Sequence, residues 1–149
     1  MCIRNLLAGC LVLVFGFSNG VGAEQQQSVA IIKSVTGIVK IIRGKSELEA
    51  VPGAELIRSD VVMSGPKATS GIVFKDGTQL TIGALSEIEI SRYVFQPEQS
   101  TYDFALYLRK GEAIYSSGKI GKLSPESVSV NTPKSTVGIR GTRFIVKAE

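Results

Sequence analysis

The stretch VNTPKSTVGIRGTRFIV, residues 130–146, decides the fold and lies near the end of the 149-residue chain. Its apolar residues alternate on one phase as far as Ile139 and on the opposite phase from Phe144 to Val146. Alternation with a period of two is typical of a β-strand that buries one face. A change of phase requires one additional residue, which a β-bulge at Gly141 would supply. The sequence therefore predicts a closing strand that is kinked at Gly141 and buries both of its halves.

The predicted bulge also determines which way the residues beside it point. Thr142 is expected to share a face with Phe144. Arg140 would then be half-buried, and a half-buried guanidinium needs acceptors for its donors. We therefore predict that a carboxylate holds Arg140, with Asp60 and Asp76 as the candidates, and that replacing Arg140 with alanine destabilises the fold.

Period-two alternation runs through nearly the whole chain after residue 28, and no segment sustains a period of 3.6. The pattern gives about ten short strands with turn signals roughly every 8 to 12 residues, which is typical of an all-β domain. A turn is predicted at Gly111-Glu112, and Gly118–Glu126 is predicted to be a mobile loop. No strict repeat is present. We predict a single all-β domain over residues 24–149, built as a sandwich-like or irregular solenoid-like β-roll.

The dipeptide Asp76-Gly77 marks a turn between two short strands. Four apolar residues flank it, all at even positions: Ile72, Phe74, Leu80 and Ile82. A two-residue hairpin would place the two sets on opposite faces, whereas a loop of odd length keeps them on one face. We therefore predict a three- or five-residue connection with Gly77 at positive φ and Phe74 opposite Leu80.

The first residues have the features of a secretory signal peptide, residues 1–23. An apolar run from Leu6 to Phe17 precedes small residues, and cleavage is predicted after Ala23. The run is shorter than the roughly 20 residues of a spanning helix, although an uncleaved anchor or lipidation at Cys10 are alternatives. Both cysteines lie before Ala23, so the mature chain would be thiol-free. We predict a periplasmic or secreted protein that does not span the membrane.

Composition excludes several chemistries. The chain has no histidine, which removes Ser-His-Asp and Cys-His catalysis and imidazole metal sites. No phosphate-binding glycine loop and no nucleic-acid-binding motif are present. We therefore predict no enzymatic activity, no cofactor, no metal and no nucleic-acid partner. The net charge of +4 is mild, and basic residues gather in the last quarter, where they form solvated strand faces or favour an anionic partner such as a wall polymer.

Candidate contact residues are few. Tyr107 is out of phase with its apolar neighbours and is expected to be exposed, while Lys119 and Lys122 lie in the predicted loop. All four tyrosines are candidates for an exposed aromatic surface that would bind sugars or a protein: Tyr93, Tyr102, Tyr107 and Tyr115. Tyr102 shares the phase of Phe104 and is more easily placed in the core.

Several motifs, in order, resemble the FecR domain family. They are Gly37-x-Val39, Pro52-Gly53 followed by Leu56 and Ser59-Asp60, Ile72-x-Phe74-x-Asp-Gly-Thr-x-Leu80, Leu108-x-x-Gly111, and Val130-x-Thr-Pro133 followed by Val137-Gly-Ile-Arg-Gly-Thr-x-Phe144. Ser59 replaces a usual glycine. The resemblance covers most of the mature chain. It implies structural roles for the family-motif residues Thr132, Pro133, Arg140, Gly141, Thr142, Phe144, Asp76 and Gly77.

The resemblance implies an all-β extracytoplasmic module. In well-known members, this module is the periplasmic part of a sensor that receives a signal from an outer-membrane transporter and controls a sigma factor. No cytoplasmic segment precedes the apolar run here, so we expect a stand-alone module that does not itself touch a sigma factor. The expected function is non-enzymatic protein interaction or signalling with a partner in the cell envelope. The alternative is a cell-wall or carbohydrate-binding module.

Overall fold

A computed structural model describes residues 26–149. The predicted signal peptide and its cleavage point after Ala23 lie outside the described residues. Within the described part, no helix is both long enough and apolar enough to cross a membrane.

Twelve strands account for most of the described residues, which confirms the all-β prediction. They are β1 (Ala30–Thr36), β2 (Val39–Arg43), β3 (Ser46–Glu49), β4 (Glu55–Leu56), β5 (Val61–Ser64), β6 (Thr69–Phe74), β7 (Gln79–Ile82), β8 (Glu87–Gln96), β9 (Thr101–Ser116), β10 (Val128–Asn131), β11 (Thr136–Gly138) and β12 (Arg143–Ala148). One short helix, α1 (Lys119–Leu123), and two 3-10 turns, Pro97–Gln99 and Pro125–Ser127, complete the elements in this range. The stretch predicted as a mobile loop therefore forms α1 and a 3-10 turn.

All twelve strands belong to one curled sheet in the order β3-β2-β5-β8-β9-β7-β6-β1-β4. Two further pairings with β9 lie outside this order. The strand β10 pairs in parallel with the first part of β9, and β12 pairs antiparallel with its last part. β11 pairs with β10. The long strand β9 thus joins two halves of the sheet, which curl toward each other around one core.

The passage of β9 between the two halves occurs at Gly111. The pairing with β8 shifts by one residue next to Glu87, which pairs with Lys110 while Ile88 pairs with Leu108. This bulge reverses the phase, so that Leu108 and Ala113 are both buried. The turn predicted at Gly111-Glu112 is therefore wrong, because the chain continues as a single strand through a bend.

The core is formed by the inner faces of both halves. Ring contacts run continuously across it: Phe74 lies 4.6 Å from Phe104 and 5.4 Å from Tyr93 between ring centroids, and Tyr115 stacks on Phe144 at 4.9 Å. Because these rings come from β6, β8, β9 and β12, they connect the two halves of the sheet.

The β6–β7 connection confirms the predicted loop type and corrects the register. Phe74 N–H donates to the Thr78 carbonyl, which leaves a three-residue loop with Gly77 at φ +84°. Leu80 pairs with Ile72, not with Phe74. The even positions of the apolar residues determine which face each one occupies, but they allow the pairing of the two strands to shift by two residues. The structure adopts the shorter of the two predicted loops.

The predicted bulge at Gly141 is not formed. The chain leaves β11 at Gly138 and, after four intervening residues, enters β12, which pairs with a different neighbour. The change of apolar phase thus reflects two separate strands in opposite halves of the sheet. Ile139 and Val146 are buried and Phe144 is half-buried against the core, as predicted, whereas Val137, which was also expected to face the core, is only half-buried and lies outside it.

Candidate interaction site

The carboxylate of Asp76 is the centre of a buried hydrogen-bond cluster, called here the Asp76 cluster. Its Oδ2 accepts from the Thr78 hydroxyl at 2.7 Å and from the Ile120 amide at 3.1 Å. Its Oδ1 accepts from the Thr78 amide at 3.2 Å and from the Tyr93 hydroxyl at 3.1 Å. Asp76 is 1 % exposed, so these donors replace water around the buried carboxylate.

The Asp76 cluster attaches α1 to the β6–β7 turn. The Asp76 carbonyl accepts from the Lys119 amide at 2.8 Å, and the Thr78 hydroxyl oxygen accepts from the Gly118 amide at 3.1 Å. A Cβ at Gly118 would lie 2.6 Å from the Asp76 carbonyl oxygen. Glycine is therefore required where the chain leaves β9 and passes over the turn.

Tyr93 completes the cluster from β8. Its hydroxyl donates to Asp76 and accepts from the Asp76 amide at 2.9 Å. Burial is the main cause that raises the pKa of Tyr93, and the Asp76 carboxylate adds to it. Burial is also the main cause that raises the pKa of Tyr115, whose hydroxyl lies near the side chains of Thr78 and Ser117 but forms no hydrogen bond of good geometry with any described residue.

The two buried tyrosines give a matched prediction. Tyr93→Phe is expected to lower the free energy of unfolding by about 1–3 kcal/mol, because a buried carboxylate and an amide each lose a partner. Tyr115→Phe removes an unpaired hydroxyl and is expected to change stability by less than about 0.5 kcal/mol, or to raise it slightly. Urea unfolding measures both. Equal losses in the two variants would contradict the assigned role of the Tyr93 hydroxyl.

A second buried carboxylate, Asp60, is held by Arg43. The guanidinium donates from Nε to Oδ1 at 2.9 Å and from Nη2 to Oδ2 at 2.8 Å. The Ile57 amide also donates to Oδ2, at 2.9 Å. The hydrogen bonds that Arg43 donates to Asp60 are the main cause that raises the pKa of Arg43. This paired geometry connects the end of β2 to the loop before β5.

The predicted carboxylate partner of Arg140 is therefore wrong. Asp60 is paired with Arg43, and Asp76 is satisfied within its own cluster. Arg140 is exposed, and its guanidinium forms no hydrogen bond or ion pair with any of the residues 26–149. The prediction failed because it assumed a half-buried arginine in a continuous strand, whereas Arg140 lies in the connection between β11 and β12.

These contacts predict that alanine substitution of the two arginines affects stability very differently. Arg43→Ala is expected to lower the free energy of unfolding by about 2–4 kcal/mol, because it leaves the Asp60 charge buried and unpaired. Arg140→Ala is expected to stay within about 0.5 kcal/mol of the wild type, as an exposed substitution. Chemical denaturation of both variants tests this pair, and a larger loss for Arg140→Ala would restore the original interpretation.

A groove of about 380 Å³ lies between β11 and β12. The residues that line it include Thr132, Val137, Ile139, Phe144, Val146 and Lys147, together with Arg140. Its wall thus has both apolar and polar parts, and its border is basic. Between residues 131 and 149 the chain has four basic residues and one acidic residue.

The groove adjoins an open strand edge. β12 pairs with β9 on one side, and no strand of the described chain pairs with its other side. An unpaired edge presents backbone donors and acceptors to any extended segment that approaches it. The edge and the groove together form the candidate interaction site of the molecule.

The residues predicted as partner contacts do not converge on this site. Tyr107 lies on β9 and is half-buried, not exposed as predicted, whereas Lys119 and Lys122 are exposed on α1. Tyr93 and Tyr115 are buried and Tyr102 is half-buried, so the four tyrosines form no common exposed surface. The burial of Tyr93 follows from a register shift in β8 after Ile90, which the alternation did not reveal.

The remaining family-motif residues support the backbone around the groove. The hydroxyl of Thr132 accepts from the Ser135 amide at 3.1 Å and closes the β10–β11 turn, in which Pro133 is exposed. The carbonyls of Gly141 and Thr142 accept from the hydroxyl and the amide of Ser117, at 2.9 and 2.8 Å. These bonds fix the position at which β12 begins.

The paired carboxylates of Glu87 and Glu89 are both engaged by Arg109, at 2.8 and 2.9 Å. Residues 26–149 contain no group of three acidic side chains arranged to hold a metal ion.

The fold and the site define the class of the protein as an all-β domain with an open strand edge beside a groove of mixed apolar and polar lining. A family model described as FecR protein matches residues 60–149. The matched range is more than half of the chain, and the chain therefore belongs to the FecR family, whose domain is regulatory and acts in signalling. No curated protein and no solved structure shows a significant match to the chain.

Proposed function

We propose that this chain is a non-enzymatic signalling module that is exported to the periplasm and binds a protein partner of the cell envelope. Membership of the FecR family supports the signalling role. The open edge of β12 beside the groove carries the proposal of a contact site, because it provides unpaired backbone groups and apolar surface in one place. Export rests on the signal-peptide pattern of residues 1–23.

Crosslinking in cells tests the proposal. A photoreactive amino acid at Ile145 on β12 is expected to give a covalent adduct with an envelope protein. The control position is Leu48 on β3, because β3 is an edge strand at one end of the sheet order and is also exposed. Adducts from Leu48 alone, or from Tyr107 or Lys122 but not from Ile145, would place the contact elsewhere.

Fractionation of the same cells tests export. The periplasmic fraction is expected to contain a chain that starts at Glu24, as determined by mass spectrometry. Full-length chain in the membrane fraction would instead indicate a retained anchor. Retention of the purified domain on peptidoglycan, without any protein adduct, would favour the cell-wall alternative.

A further inference from the structure

The backbone groups of β12 that face outward can be identified from its pairing. Thr142 accepts a hydrogen bond from the Ser117 amide at 2.8 Å, and Arg143 is opposite Ser116. In an antiparallel ladder, bonded and non-bonded pairs alternate, so Phe144, Val146 and Ala148 are bonded to β9. The N–H and C=O groups of the residues between them, Arg143, Ile145 and Lys147, are therefore directed toward the open side.

The same three residues determine the chemistry of the outer face. Their side chains are exposed, and Ile145 is 58 % exposed. The order along the edge is thus cation, apolar residue, cation. An added antiparallel strand would place three residues, at spacings of two, directly opposite them on this face.

The two cations differ in what surrounds them. Lys147 forms an ion pair with Glu112 of β9 at 2.9 Å. Arg143 is opposite Ser116 on β9 and forms no ion pair within residues 26–149. A carboxylate in an added strand therefore gains more when it lies opposite Arg143.

A second copy of this chain fits the edge poorly in the register centred on Ile145, which pairs the three outward residues with one another. Antiparallel pairing of two β12 strands about Ile145 places Arg143 of one copy opposite Lys147 of the other, twice. Like charges directly opposite each other destabilise a strand pair. In addition, no two acidic residues of the sequence are four positions apart, so no segment of the chain can place carboxylates opposite both cations.

We propose that the edge of β12 selects an extended partner segment with the pattern acidic–x–apolar–x–acidic, added antiparallel to β12, and that its two cations exclude pairing between copies of the chain. This inference rests on the proposed function and specifies the chemistry of the partner. The acidic residues lie opposite Arg143 and Lys147, and the apolar residue covers Ile145.

Peptide binding tests the selection. The probe is a capped nine-residue peptide, Thr-Thr-Glu-Thr-Val-Thr-Glu-Thr-Thr, titrated into the isotope-labelled chain from Glu24 to Glu149 by NMR. The amide signals of Arg143, Ile145 and Lys147 are expected to move. Replacing both glutamates of the peptide with lysine is expected to weaken binding by about tenfold or more.

Charge reversal provides the decisive comparison. Arg143→Glu is expected to reverse the preference, so that the lysine peptide binds better than the glutamate peptide. Lys122→Glu changes the net charge equally but lies on α1, and it is expected to leave the preference unchanged. Similar effects of the two variants would show attraction by net charge alone and would overturn the proposal.

The backbone contribution is tested at Ile145. Ile145→Pro removes an N–H that faces the open side, which an edge strand tolerates, and is expected to abolish binding. Ile145→Thr keeps the N–H and is expected to bind with only a modest loss. Sedimentation should show a monomer, and a dimer that Ile145→Pro dissociates would overturn the exclusion of a second copy. A negative peptide result together with a crosslink from Ile145 would overturn the pattern and leave the proposed function intact.

Discussion

Asp76→Ala is expected to lower the free energy of unfolding by about 3–5 kcal/mol, one of the two largest losses in this protein. The substitution leaves four buried donors without an acceptor: the amide and hydroxyl of Thr78, the amide of Ile120 and the hydroxyl of Tyr93. Each unsatisfied group costs about 1–3 kcal/mol, and the sum is reduced because the neighbours relax.

Denaturant unfolding measures this loss, and Glu98→Ala is the control because Glu98 is an exposed acidic residue in a 3-10 turn. The control is expected to stay within about 0.5 kcal/mol of the wild type. Hydrogen exchange adds a local test, since the Ile120 amide should exchange faster in Asp76→Ala. A loss below about 1 kcal/mol would show that the Asp76 cluster is not a major source of stability.

Gly111→Ala is expected to cost about 3 kcal/mol or more, or to prevent folding. Gly111 has φ +92°, and a Cβ there would lie 2.5 Å from the Cα of Ser86. Two causes act together, because alanine strains a backbone in this region and its methyl group overlaps the backbone of the neighbouring segment. The bend of β9 could then form only if the two halves of the sheet moved apart.

Gly77→Ala separates these two causes. Gly77 has φ +84°, close to that of Gly111, but a Cβ there would meet no atom within 4 Å. The expected loss is about 1–2 kcal/mol, from the backbone conformation alone. Thermal or chemical unfolding of both variants therefore measures the steric part as a difference, and equal losses would show that β9 does not depend on close approach at Gly111.

The apolar pattern predicted the buried faces with few errors. Ile72, Phe74, Leu80 and Ile82 are all buried, as the even phase requires. This success has a simple cause, since alternation is a local property of a strand and reports directly which side faces the core.

Errors arose where the phase changed. The sequence shows such a change on each side of Gly111 and again on each side of Gly141. The first is a bulge within one long strand, and the second is a passage between two strands, which is the reverse of what was predicted. Pattern alone cannot separate these cases, because both shift the phase by one residue and only the pairing partner of each segment differs.

Polar contacts were predicted least well. Asp60 is bound by Arg43, 17 residues earlier in the chain, and Asp76 receives the hydroxyl of Tyr93 and the amide of Ile120. No periodicity links these residues. The pairing of β2 with β5 brings Arg43 to Asp60, and a bulge in β8 and the path of the chain after Gly118 bring Tyr93 and Ile120 to Asp76. None of these is encoded in local alternation.

By itself, the sequence determined an all-β chain, the buried face of most strands, a three- or five-residue turn at Asp76-Gly77 and membership of a signalling family. Only the tertiary structure decided which carboxylate binds which donor, that Arg140 faces solvent and that β12 has an open edge. The physical reason is the separation along the chain of the residues on which each feature depends. Burial of alternate side chains depends on neighbours in the chain, whereas buried hydrogen bonds and free edges depend on which distant strands lie side by side.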